Sequence, residues 1–178
     1  MNKNNRLYWF PLSASYSTLA IFFYFLVLIS CGPTSSLPPG ALGPLQTVSL
    51  KIGDAGTEIE VALSYEEQAQ GLMYRGSMPE NHGMLFVYTK PQYLQFWMKN
   101  TRIPLSIAFL LEDGTISNIE NMKPYTGPLE PVERYASRLP SVYALEMNQG
   151  WFARHGVKEG DRIAIPVDAI RKIQGRGK

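Results

Sequence analysis

The sequence predicts a mainly β single domain with one or two short helices, an α+β chain built as a β-sandwich or a partly closed β-barrel. Three observations predict it. About seven short runs alternate apolar and polar residues, the period of a half-buried strand. Clusters of Gly, Pro, Asn and Asp separate those runs at short intervals. Over 178 residues, 45% apolar and 12% aromatic content supplies one core and is too rich for a disordered chain.

The elements follow in order. Residues 47–52 and 57–63 alternate around the turn Gly53-Asp54-Ala55-Gly56, which predicts a hairpin. Ser64-Tyr65-Glu66-Glu67 is a capping box, so a short helix should run to about Leu72, limited by Gly71 and Gly76. Strands are expected over 84–88 and 93–99, then a second hairpin over 105–111 and 115–122 around Glu112-Asp113-Gly114. A proline-bearing segment, 123–140, leads to a strand at 142–147 and a helical turn near 149–155. A last strand is expected over 162–167, with the tail fraying from Ile170. The domain is placed at 46–170 and a basic tail at 171–178. No repeat of 20–50 residues is present.

Ahead of this domain lies a targeting pattern. Lys3 and Arg6 are the only charged residues among the first thirty, and residues 19–29 (LAIFFYFLVLI) form an uncharged run. Eleven residues suit a signal-peptide apolar region and are short for a bilayer span; an uncleaved anchor reaching back to Tyr8 is diluted by Pro11 and several hydroxyl residues. Leu28-Ile29-Ser30-Cys31 resembles the lipobox of bacterial lipoproteins. That resemblance implies cleavage after residue 30, a diacylglycerol on the Cys31 sulfur and an acylated new amino terminus. Two or three acyl chains hold a protein stably where one is marginal. The competing reading is a buried cysteine that ends an apolar run. Gly32 is similar to lipoproteins passed on to the outer membrane. Residues 31–45 then form the lipidated cysteine and a tether: GPTSSLPPGALGPL holds four prolines and three glycines and no periodicity. The implied location is the periplasmic face of the bacterial cell envelope, with the membrane as partner.

Charge and cysteine usage exclude whole classes. The formal charge of +2 belongs to the leader; residues 31–170 hold eleven basic against fifteen acidic side chains, and Arg171, Lys172, Arg176 and Lys178 make the end basic. A protein that neutralises phosphates needs a basic domain or stripe, so nucleic acid is not an expected partner. The basic end is either a solvated terminus or a contact for anionic headgroups. One cysteine, consumed by lipidation, leaves no disulfide, zinc ribbon or thiol nucleophile. His82 and His155 belong to no spaced ligand motif, so no metal is expected, and no nucleophile elbow, phosphate loop or dinucleotide fingerprint indicates a cofactor.

Five motifs occur in sequence: Gly71-Leu72-Met73-Tyr74-Arg75, Gly83-Met84-Leu85-Phe86, Phe96-Trp97-Met98-Lys99-Asn100-Thr101, Ile103-Pro104-Leu105 and Ala144-Leu145-Glu146-Met147. Together they closely resemble the family called domain of unknown function 192, across nearly all of 46–168. The resemblance implies a small, often exported, β-rich domain and implies no reaction. Ser106 is a departure, because the family commonly carries aspartate there.

Candidate site residues come from period-two reading. Trp97 and Lys99 share a strand face about 6.6 Å apart, an indole and an ammonium suited to an anionic or sugar-like ligand; alternatively Lys99 lies along a core Trp97 with its head in water. On the strand at 142–147, Tyr143, Leu145 and Met147 share one face and Ala144, Glu146 and Asn148 the other. Glu146 is therefore either a general acid or base in a cleft, or half of a structural ion pair with Arg75 or Lys99. Arg75 offers a planar fork for an anion or ties down a loop. Asn100 with Thr101 brackets the turn before Pro104 or joins the site. The functions these residues support are a lipid-anchored binding or interaction module, an envelope hydrolase or transferase using Glu146, and a purely structural domain.

Overall fold

The computed structural model describes residues 42–127 and 131–176. The leader 1–30, Cys31 and the tether as far as residue 41 lie outside the described residues, as does Lys178. The elements are β1 (Thr47–Ile52), β2 (Ala55–Ala62), α1 (Tyr65–Gln70), β3 (His82–Gln92), β4 (Gln95–Trp97), β5 (Leu105–Leu110), β6 (Ile116–Met122), β7 (Arg134–Ala136), β8 (Ser141–Asn148), α2 (Trp151–Arg154) and α3 (Val167–Arg176).

Six strands form one sheet in the order β1-β2-β3-β8-β5-β6, and β4 pairs with β7 in a second, two-stranded sheet. Both expected hairpins are present, β1–β2 and β5–β6. The first turns through Gly53 at φ 58°, a left-handed conformation that glycine adopts without a Cβ penalty. The β2–β3 pair is parallel, with α1 in the crossover. β1 and β6 are the free edges, so the large sheet stays open, which agrees with a sandwich or an open barrel.

The centre of the large sheet is covered on both faces, with β5 and β8 buried almost throughout, while β1 alternates exposed and buried residues. On one, Leu85, Leu145 and Met147 pack with Trp151 and Phe152 of α2 and Ile170 of α3. Trp151 has no exposed surface, stacks on His155 at 4.0 Å and donates from Nε1 to Asn81 Oδ1 at 3.0 Å. On the other face, Phe86 and Phe109 meet Phe96 of β4 edge-on, at 4.8 and 5.8 Å between ring centroids. The small sheet therefore lies over this second face.

Four expectations need correcting. Leu42 already exchanges hydrogen bonds with the Gln70 side chain (2.6 and 2.9 Å), so the chain engages the domain before residue 46. The strand expected at 93–99 is reduced to three residues, because β7 offers three partners and Asn100 turns away at φ 60°. Residues 162–167 make one bridge, Thr115 to Arg162, with Ile163 N donating to Gly114 O. Finally, the expected frayed tail is α3, started by Pro166, whose carbonyl accepts from Ile170 N. Ile170 and Ile173 pack inward while Arg171 and Lys172 face solvent, with Asp168 3.7 Å from Arg171.

Candidate functional site

One wall of the site is α1 and the loop that follows it. The capping box forms as expected: Ser64 Oγ accepts from Glu67 N, and Glu67 Oε2 accepts from Ser64 N at 2.8 Å. Gln68 Nε2 donates to Val87 O at 2.8 Å, which ties the helix to β3. At Gly71, φ is 50° and a Cβ would lie 3.2 Å from the Phe86 ring, so the chain passes tightly over β3 there. Among the described residues, Tyr74 and Asn100 are the two non-glycine residues with positive φ, at 66° and 60°. They hold each other, Tyr74 N donating to Asn100 O at 2.9 Å and Asn100 Nδ2 to Tyr74 Oη at 3.0 Å. Two backbone positions of this kind are sustained only where surrounding contacts fix them.

Arg75 closes the loop against β2. Its guanidinium donates to both carboxylate oxygens of Glu60, the second at 2.8 Å, and Leu45 N donates to the same carboxylate at 2.8 Å. Burial raises the Glu60 pKa, but the bonds from Arg75 and Leu45 outweigh it and leave the carboxyl below its usual range.

The opposite wall is the small sheet. Trp97 and Arg134 are cross-strand partners, with the guanidinium 5.4 Å from the indole centroid and Lys99 Nζ 5.8 Å from it. Reciprocal bonds between Leu94 and Ser137 fix the end of this ribbon, at 2.9 and 3.0 Å. Buried Asn118 on β6 donates to Ala136 O at 3.1 Å and accepts from Arg138 N at 3.0 Å, which docks β7 onto the large sheet.

Between these walls is an open pocket of about 330 Å³. Tyr65 and Trp97 stand exposed at its margin, Arg134 and Gln95 line one side, and Phe86, Phe96 and Tyr88 line the interior. Glu146 reaches it from β8, with 4% of its surface exposed. In the sheet, Glu146 is flanked by Met84 on β3 and Ile107 on β5, both buried and apolar. No described residue hydrogen-bonds its carboxyl, and no fully buried side-chain polar atom among the described residues lacks a partner, so its oxygens open onto the cavity. Burial pushes this carboxyl up to about 8, with the charge of Arg75 working weakly the other way. Burial, reinforced by Glu146, pushes the Tyr88 phenol up to about 12. The arrangement is a carboxyl that is mostly protonated at neutral pH, at the base of an aromatic pocket, with a guanidinium at the rim.

Residues 48–165 match the family model for domain of unknown function 192, described as an uncharacterized ACR. The chain belongs to this family. Two solved structures share its fold. One, from Sinorhizobium meliloti 1021, is described as a candidate transcription regulator; it is 40% identical, with a TM-score of 0.57 over 62% of this chain and 82% of that one. The other, from Novosphingobium aromaticivorans DSM 12444, is described as a protein of unknown function; it is 33% identical, with a TM-score of 0.60 over 70% of this chain and 94% of that one. No curated protein matches the chain.

Within this domain of unknown function 192, the sequence-derived residues separate into two groups. Glu146 and Trp97 line one pocket. Arg75 is committed to Glu60, Asn100 to Tyr74, and Lys99 lies beside the indole without lining the cavity. The expected ion pair of Glu146 with Arg75 or Lys99 does not form; Arg75 reaches Glu146 only through its field. Trp97 is 41% exposed, so it is not the core tryptophan of the alternative reading. Ser106 is buried, donating to Asn121 Oδ1 at 2.5 Å and accepting from Gly150 N at 2.8 Å. His82 and His155 sit apart, and no group of three potential ligands occurs among the described residues. No described helix is long and apolar enough to cross a membrane. The reading from sequence missed Arg134 and Tyr88. Tyr88 was within reach, since it shares the alternating face of Met84 and Phe86. Arg134 left no local signal, because β4 and β7 are far apart in sequence.

Proposed function

We propose that this chain is a small-ligand-binding module held at the bacterial cell envelope by a lipid anchor on Cys31, and that its ligand carries an anionic group. The observation that supports binding most is the pocket itself, where a buried carboxyl without a hydrogen-bond partner faces an open aromatic cavity. Arg134 at the rim makes no ion pair among the described residues and is the natural seat for an anion or an anionic glycan group. The lipobox and the proline-rich tether support the anchor. Cys31→Ser should abolish acyl labelling and release the protein or leave its precursor uncleaved; unchanged labelling would sink the lipoprotein reading. For the pocket, a thermal-shift screen of anionic envelope metabolites and glycan fragments should yield a ligand whose shift is lost in Arg134→Gln.

A second reading, a hydrolase or transferase, draws on the same carboxyl. A group held up to about 8 is a competent general acid at neutral pH. Against it stand the positions of Arg75 and Lys99, which leave Glu146 without the positioning cations that such an enzyme was expected to use. Turnover of any screened ester or glycoside, lost in Glu146→Gln, would favour this reading.

The description of the S. meliloti structure as a candidate transcription regulator finds no support in charge, since residues 31–170 hold more acidic than basic side chains.

A further inference from the structure

The pocket holds two ionisable side chains that make no ion pair among the described residues, and they are of opposite kind. Glu146 sits at the base, buried and without a hydrogen bond, between apolar Met84 and Ile107. Arg134 sits at the rim, its nearest carboxamide oxygen, on Gln95, 3.5 Å from the guanidinium and its cationic face directed to Trp97. Between them Phe86, Tyr88, Phe96 and Trp97 share the walls with polar Gln68 and Thr101, and aromatic faces attract cations through their quadrupole. A carboxyl at the closed end of an aromatic cavity is the arrangement that recognises an ammonium group. A lone cation, however, would enter past Arg134 and meet repulsion there.

We propose that the ligand of this pocket is a zwitterion, with an ammonium group seated against Glu146 among the aromatic walls and a carboxylate or phosphate held by Arg134 at the rim. This rests on the small-ligand reading above and names the ligand's class. The groups around Glu146 are few: Tyr88 on β3, and Arg75, whose guanidinium is already bonded to Glu60 of β2, while β5 presents Ile107. Because that surrounding leaves the free carboxyl largely protonated at pH 7, seating an ammonium against it drives the proton into solvent. Binding should then release about one proton at pH 7, visible as a dependence of the binding heat on the buffer's ionisation enthalpy.

The test is isothermal titration of the full acylated chain in detergent micelles with glycine, β-alanine, 4-aminobutyrate and 6-aminohexanoate. These probes hold the two charges at increasing separation. Butylamine and butyrate supply each charge alone, and N-acetylglucosamine supplies neither. At least one zwitterion should bind tenfold or more tightly than butylamine and butyrate. Glu146→Gln and Arg134→Gln should each remove that advantage over the single-charge probes, and Arg134→Gln should strengthen butylamine binding by relieving the repulsion at the rim. If butyrate, butylamine or N-acetylglucosamine binds as tightly as every zwitterion, the zwitterion assignment is overturned and the small-ligand pocket stands. If no probe binds and the anionic and glycan screen is also empty, both are overturned. The comparison among probes on the unaltered protein decides the matter even where a variant misfolds.

Discussion

The two faces of β8 differ in completeness. Tyr143, Leu145 and Met147 point to a face sealed by α2 and α3, where Trp151 fills the centre and its one polar atom is bonded to Asn81. Ala144 and Glu146 point to a face where α1 and the small sheet stand apart, and the gap between them is the pocket. One strand thus serves a finished core on one side and an unfinished one on the other. A carboxyl placed between Met84 and Ile107 is costly to folding, and the same loss of hydration shifts its titration. Groups kept at that cost concentrate at functional sites.

Three substitutions sharpen this contrast, beginning with the largest effect. Trp151→Ala on the sealed face should destabilise by roughly 5 kcal/mol, since it empties a filled core. Urea unfolding measures it, and a loss below about 1 kcal/mol would mean that this face is not closed.

Glu146→Gln on the open face should do the opposite. The folded carboxyl titrates near 8 against an ordinary 4.5, so the folded state holds the extra proton and stability falls as pH rises between those values. Below the window the penalty is absent; above it the penalty is complete, on the order of 4 kcal/mol. The amide removes the titration, so Glu146→Gln should match the parent at pH 4.5 and exceed it by that order at pH 8.

The smallest effect belongs to the rim. Trp97→Ala should cost less than about 1 kcal/mol, because the indole is half exposed and its contacts with Lys99 and Arg134 are solvated. Any ligand of the pocket should nevertheless bind more weakly to it. A large fall in melting temperature would move Trp97 from the pocket margin into the core.

Much of the fold was legible in local pattern. Both hairpins, the capping box at Ser64 and the inward set Leu94, Phe96 and Met98 follow from period and turn chemistry. The misses have local causes too. Pro166 reads as a strand breaker at the end of 162–167 and acts as a helix starter, while the charges of 171–178 mask the spacing of Ile170 and Ile173. For the site, strand alternation placed Glu146 and Trp97 on definite faces but could not bring the two strands together. That meeting depends on β7 docking through Asn118 and Ser137, a long-range arrangement. The same lack of pairing information left Arg75 open to Glu146, when Glu60 on β2 was its partner.

Glu146 is a carboxyl without a hydrogen-bond partner among the described residues, at the base of an open pocket. Its own titration, followed through the side-chain carboxyl carbon by NMR in the folded protein, tests this most directly. The ligand-free protein should show a midpoint of about 8. A midpoint near the ordinary 4.5 would show a solvated or paired carboxylate and would contradict this reading.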